Sequence, residues 1–188
     1  MSDNKVIDFQ TEAIGRLRTA VARLGEQNEA LLAYARGHAG AAAQIHAAVL
    51  SALEAEGFEH LAHVITQDWV DILGLDAIGL ALVGAQQGLR LGATGLQLVD
   101  PAQVADWFPG SELVALRSAD AGSAIFGPAA PLIRSEALVR LSLGAPLPEG
   151  LLALGSRHPH NFDGVGGSEL LLFLGGVASR LLTRFLSA

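Results

Sequence analysis

Gly150-Leu151-Leu152-Ala153-Leu154-Gly155-Ser156-Arg157-His158-Pro159-His160-Asn161-Phe162 joins an apolar run of strand length to a polar loop. Gly164, Gly166 and Gly167 keep the following backbone loose until Ser168, whose hydroxyl is suited to cap a helix by accepting from first-turn amides. Beyond it, Leu170, Phe173, Leu174, Val177, Leu181 and Phe185 recur at helical spacing. The opposite side is almost as apolar, with Leu171, Leu172, Ala178, Leu182 and Leu186, and only Glu169, Arg180 and Arg184 carry charge. A strand, a loop and a helix of this kind imply a sheet with the helix laid on it, and something covering the helix's back.

Working outward, Ala137–Leu143 reads as the strand that precedes this unit, returned by the loop Gly144–Gly150 as a hairpin. Short apolar runs at Asp76–Val83, Leu89–Leu91, Gly95–Val99 and Leu113–Arg117 supply further strands. Asp100-Pro101 starts a short helix that ends at Trp107 and Phe108, with the aspartate as cap and the proline in the first turn. Ala121–Phe126 is predicted to form another, stopped by Pro128 and Pro131.

The first fifty residues have a different texture. From Ile7 to about Ala52 apolar positions follow a seven-residue repeat. Ile14, Val21, Asn28, Ala35, Ala42 and Val49 occupy one seam position, and Leu17, Leu24, Leu31, His38, Ile45 and Ala52 the other. β-Branched residues at the first position and leucine at the second favour a parallel pair, in which Asn28 meets its twin and fixes the register. Alternatively, Ile14 to Leu31 packs on the chain's own C-terminal helix. A break is predicted at Gly37–Gly40, after which helix resumes over Ala41–Glu56, and a third helix spans Glu59–Leu73 with Gly74 as its stop.

The predicted fold class is therefore α+β: an antiparallel sheet with the terminal helices on one face and small helices on the other. Residues 1–40 form a coiled-coil-like helix, and 41–188 the domain.

Composition excludes several functions. A net charge of −7 over 188 residues opposes attraction to phosphate backbones and anionic lipid, so neither nucleic acid nor a membrane is an expected partner. The absence of cysteine removes disulfides, thiolate nucleophiles and thiolate-held metals. No apolar run approaches the roughly 20 residues of a spanning helix, and Met1–Lys5 lacks a signal peptide's apolar core, so a cytoplasmic protein is expected. The pairs His158/His160 and His60/His63 each lack a third ligand nearby, so no metal or other cofactor is assigned. Gly92-Ala93-Thr94-Gly95 lacks the third glycine of a dinucleotide turn, and no carboxylate pair or serine–histidine arrangement stands out, so the chain is read as no enzyme.

The string Gly150–Phe162 with Gly167-Ser168-Glu169 resembles the end of the proteobacterial family known as domain of unknown function 484. Val6-Ile7-Asp8-Phe9-Gln10-Thr11, Arg16-Leu17-Arg18 and Leu132-Ile133-Arg134-Ser135-Glu136-Ala137-Leu138 agree with it, so the resemblance covers nearly the whole chain. It implies a GAF-like domain behind a long N-terminal helix, a homodimer formed through helices, and a pocket of unknown content. GAF-like domains place that pocket between the sheet and the short helices. Here the expected lining is Trp107, Phe108, Arg117, Phe126, Arg134 and Arg140, the arginines being suited to recognise carboxylate or phosphate. The alternatives are that Arg134 pairs locally with Glu136 and that the aromatic residues are core. The dimer seam is expected at Ile14, Leu17, Val21, Leu24, Asn28 and Leu31. Two functions follow: a small-molecule-responsive regulatory module, or a scaffold for protein interaction whose pocket is vestigial.

Overall fold

A computed structural model describes residues 3–84, 87–92, 94–107, 112–162 and 167–187, with backbone alone for 3–11, 33, 34 and 36. Residues 1–40 and 41–188 form two compact units.

The described residues of the first unit are all helical, the beginning of α1 (Asp3–Leu53). The break predicted at Gly37–Gly40 does not occur. Each glycine costs about 1 kcal/mol against alanine, but Ala35, Ala39, Ala41, Ala42 and Ala43 around them are the best helix formers. Among the seam positions, Ile14, Leu17, Val21, Leu24 and Leu31 are 51–67% exposed, and Asn28 is exposed with them.

The second unit holds the last turns of α1, then α2 (Phe58–His63), a π-helical turn Val64–Asp68 and α3 (Trp69–Leu73). Gly74 ends this run in the left-handed conformation (φ 64°), as a C-terminal glycine should. Six strands follow: β1 (Ala77–Val83), β2 (Gly88–Gly92), β3 (Gly95–Val99), β4 (Val114–Ser118), β5 (Ser135–Leu141) and β6 (Glu149–Ser156). Between them lie α4 (Pro101–Trp107) and a 3-10 segment, Ala124–Leu132, and α5 (Gly167–Leu186) closes the chain. The sheet order is β3-β2-β1-β6-β5-β4, with every neighbouring pair antiparallel.

Alternation along the strands divides the core in two. Ile78, Leu80, Leu82, Leu152 and Leu154 point to one face, against Ile45, Ala48 and Ala52 of α1, Leu61, Ile65 and Trp69, and Leu171, Leu174, Ala178 and Leu182 of α5. The Trp69 indole donates to the Ala48 carbonyl at 2.8 Å, which satisfies the polar atom of the largest buried side chain. Ala81, Leu138, Leu151 and Ala153 point to the other face, against Val104 of α4 and Ile125, Phe126 and Ile133.

Three local expectations are corrected. The 3-10 segment runs through Pro128 and Pro131 instead of stopping before them. Two short turns are joined there across a kink at Gly127 (φ 56°), which puts Pro128 in the first turn of the second, where an amide has no acceptor within the turn. Ser168 lies inside α5, which begins at Gly167. The buried stripe of α5 is Leu171, Leu174, Gly175, Ala178, Leu181 and Leu182, so Phe173 is turned outward and is 50% exposed. Both sides of this helix are apolar, and close approach at Gly175 selects which one meets the sheet.

Candidate functional site

The loop within Gly150–Phe162 is held by its backbone. The Asp76 carboxylate accepts from the Arg157 amide at 2.8 Å and pairs with the Arg157 side chain at 3.3 Å. Ser135 Oγ donates to the His158 carbonyl at 2.6 Å, and Ser118 Oγ to the Pro159 carbonyl at 2.8 Å. The loop therefore ties the start of β1 to β4 and β5. Among the described residues no group of three histidine, aspartate or glutamate side chains is placed to hold a metal ion. Nor is any helix there long and apolar enough to cross a membrane.

On the face bearing α4 and the 3-10 segment, the residues expected to line a pocket are spread along β4, β5 and their neighbours. Arg117 and Glu136 are cross-strand partners. Arg117 Nε donates to Glu136 Oε1 at 2.6 Å, and its Nη2 to the Trp107 carbonyl at 2.7 Å and Ser123 Oγ at 2.9 Å. The Ser123 amide and hydroxyl each donate to the Glu136 carboxylate at 2.8 Å. Glu136 is 2% exposed, and this network provides the partners that a buried carboxylate requires. Arg134 does not pair with Glu136: its Nη1 donates to the carbonyls of Asp120, Pro131 and Ile133 at 2.7–3.0 Å, clamping the end of the 3-10 segment. Arg140 pairs with Glu149 at 3.4 Å. Phe126 is core, Trp107 packs on the same cluster, and Phe108 lies outside the described residues. The three arginines expected to bind a ligand are thus engaged with the protein.

A fourth arginine escaped the sequence reading. Arg90, on β2, points to this same face opposite Gln97 of β3 and is 7% exposed. Its Nη1 donates to the Ala124 carbonyl at 2.9 Å and its Nη2 to Gln97 Oε1. Among the described residues its Nε has no hydrogen-bond partner and no carboxylate pairs with it. A buried cation without a counter-ion is costly, on the order of several kcal/mol before its hydrogen bonds are counted. Period-two alternation in Gly88-Leu89-Arg90-Leu91-Gly92 was the available signal, since it separates the arginine from both leucines.

Packing under the 3-10 segment is close among the described residues. Beneath the 3-10 segment, Ile125 packs over Gly79, and Phe126 and Ile133 pack over Gly155. Two cavities lie on the opposite face, either side of Phe58. One of ≈ 600 Å³ is bounded by Leu82, Leu89 and Pro146, and one of ≈ 530 Å³ by Thr66, Leu91 and Leu96.

A six-stranded antiparallel sheet with long helices on one face and short helices on the other defines the protein as a GAF-like domain. The chain belongs to the family described as "Protein of unknown function, DUF484", which it matches over residues 1–187. Among solved structures it is similar to the chromophore-binding domain of an unusual bacteriophytochrome, RpBphP3, from R. palustris, with a TM-score of 0.55 and 9% identity over 77% of this chain. The chain spans 61% of the length of that structure. It is also similar to the GAF domain of phosphoenolpyruvate-protein phosphotransferase from Acinetobacter, with a TM-score of 0.51 and 11% identity, covering 77% of this chain and 93% of that one. Comparison with curated protein sequences found no match.

Proposed function

We propose that this chain is a non-catalytic regulatory module that binds a small molecule on its sheet and dimerises through its N- and C-terminal helices. The observation that carries this reading is the exposure of Leu17, Val21, Leu24 and Leu31, 60–67% each, at heptad spacing on a helix of 51 residues. Large apolar side chains at that spacing are the material of a two-stranded seam. Leu172 and Phe173, 41% and 50% exposed on α5, add a second apolar surface. The similar structures, a chromophore-binding domain and a GAF domain, support the ligand-binding half of the reading. The absence of cysteine rules out thiol-based catalysis, and the net charge of −7 favours a role, which we place in the cytoplasm, apart from nucleic acid and membrane.

The test is sedimentation equilibrium on the full chain and on a Leu17→Gln/Leu24→Gln variant, combined with a thermal-shift screen of small molecules. A dimer that becomes monomeric in the variant, and a compound that raises the melting temperature, are the expected results. A wild-type monomer removes the dimer, and a screen without effect removes the ligand. A second reading, a protein-interaction scaffold with a vestigial pocket, is favoured by the filling of the space under the 3-10 segment by Ile125, Phe126 and Ile133. It predicts the dimer without the thermal shift.

A further inference from the structure

Arg90 is charged, more than nine-tenths buried and without a carboxylate partner among the described residues. It is also closely positioned. A Cβ on Gly127 would lie 2.6 Å from Arg90 Nη1, so the guanidinium occupies space that only glycine leaves there. The carbonyl of Ala124 holds one amino group, and the Gln97 amide oxygen caps the other. Gln97 in turn donates to Thr94 Oγ1 at 3.3 Å, and both are exposed. A polar path thus leads from solvent through Thr94 and Gln97 to a cation that is otherwise enclosed.

Beside this path stand two residues without side chains. Gly92 and Gly95 are paired across β2 and β3 on the face of Arg90 and Gln97, and nothing lies within 4 Å of a Cβ built on Gly95. The Gln97 oxygen is a neutral acceptor standing where an anionic one would bind the guanidinium more strongly.

We propose that Arg90, capped by Gln97 beside the Gly92–Gly95 pair, is the recognition site for a small molecule bearing a carboxylate or phosphate. The anion displaces the Gln97 amide oxygen and takes the outward donors of the guanidinium. This inference rests on the ligand-binding half of the function proposed above and names the ligand's chemistry.

The experiment follows thermal melting of the full chain with millimolar phosphate and, separately, succinate, against sodium chloride of equal ionic strength, in wild type and Arg90→Met. A panel of uncharged small molecules forms a third arm. A rise of about 2–4 °C at several times the dissociation constant is expected with phosphate or succinate in wild type, and none in the variant. Which anion acts assigns the class. A shift preserved in Arg90→Met, or none from either anion in wild type, overturns the assignment. If an uncharged compound alone stabilises both proteins, Arg90 is not the site while the ligand-binding reading survives; if nothing in any arm acts, both fall. Should Arg90→Met fail to fold, the ¹⁵N-edited signal of the Arg90 Nε–H in wild type decides. It shifts with the active anion if the guanidinium is the receptor, and its constancy refutes the proposal.

Discussion

Arg90 and Gly127 depend on each other. Gly127 has φ 56° and ψ −127°, a conformation suited to glycine, and a Cβ there would enter the Arg90 guanidinium. Gly127→Ala is expected to destabilise by about 1–3 kcal/mol, read as a lower urea midpoint with unchanged slope. Glu136 presents a different case, a carboxylate enclosed by Arg117 and Ser123. Because the Arg117 side chain is 37% exposed, solvent moderates the loss, and Glu136→Ala should cost about 2–3 kcal/mol instead of the roughly 3–5 of a fully buried pair. Urea unfolding of that variant gives the value directly. At this scale the sequence identified the residue type but not the residue. Arginines in an apolar chain were visible as special, yet Arg117 and Arg134 find their partners through tertiary contacts more than ten residues away in the chain, at Glu136 and Asp120. No local spacing encodes those contacts, and Arg90 became notable only once one face of β2 was known to be covered by the 3-10 segment.

Among the elements, the strands were legible to within two residues and the rotations of the helices were not. The span of α5 followed from its hydrophobic run, but an apolar residue on every side leaves the period without a preferred phase. Close packing supplies the phase: a Cβ at Gly175 would lie 2.5 Å from Val139 Cγ1, whereas one at Gly176 would meet only the end of Arg180 at 3.8 Å. Neighbouring glycines should therefore respond oppositely. Gly175→Ala is expected to destabilise by about 1–3 kcal/mol through overpacking, despite alanine's better helix propensity. Gly176→Ala should stabilise by about 0.5–1 kcal/mol, since propensity acts there almost alone. Paired thermal melts reveal the contrast, and equal shifts of one sign would show that the helix can slide on the sheet. In α1, glycine signals at 37 and 40 predicted a break that the surrounding alanines outweigh.

For the whole molecule, the alternation of strands and helices was enough for the α+β class, and the closing motif for the family. The strand order was not legible, because six short strands pair through contacts that turn residues alone do not specify. All the buried apolar side chains described lie between Ile45 and Leu182. Residues 41–188 should accordingly fold without the first forty, melting within a few degrees of the full chain while losing its self-association. A truncated chain that is unfolded by circular dichroism would contradict this division. Within the first unit, Asn28 separates self-association from register. A polar residue at the first seam position lowers stability but excludes staggered and higher-order pairings. Replacing it, as Asn28→Val, should tighten association while admitting species larger than a dimer, which sedimentation velocity resolves as additional boundaries. If Asn28→Val instead leaves both the association constant and the species unchanged, Asn28 is outside the seam, and the heptads of α1 serve some contact other than a second copy of the chain.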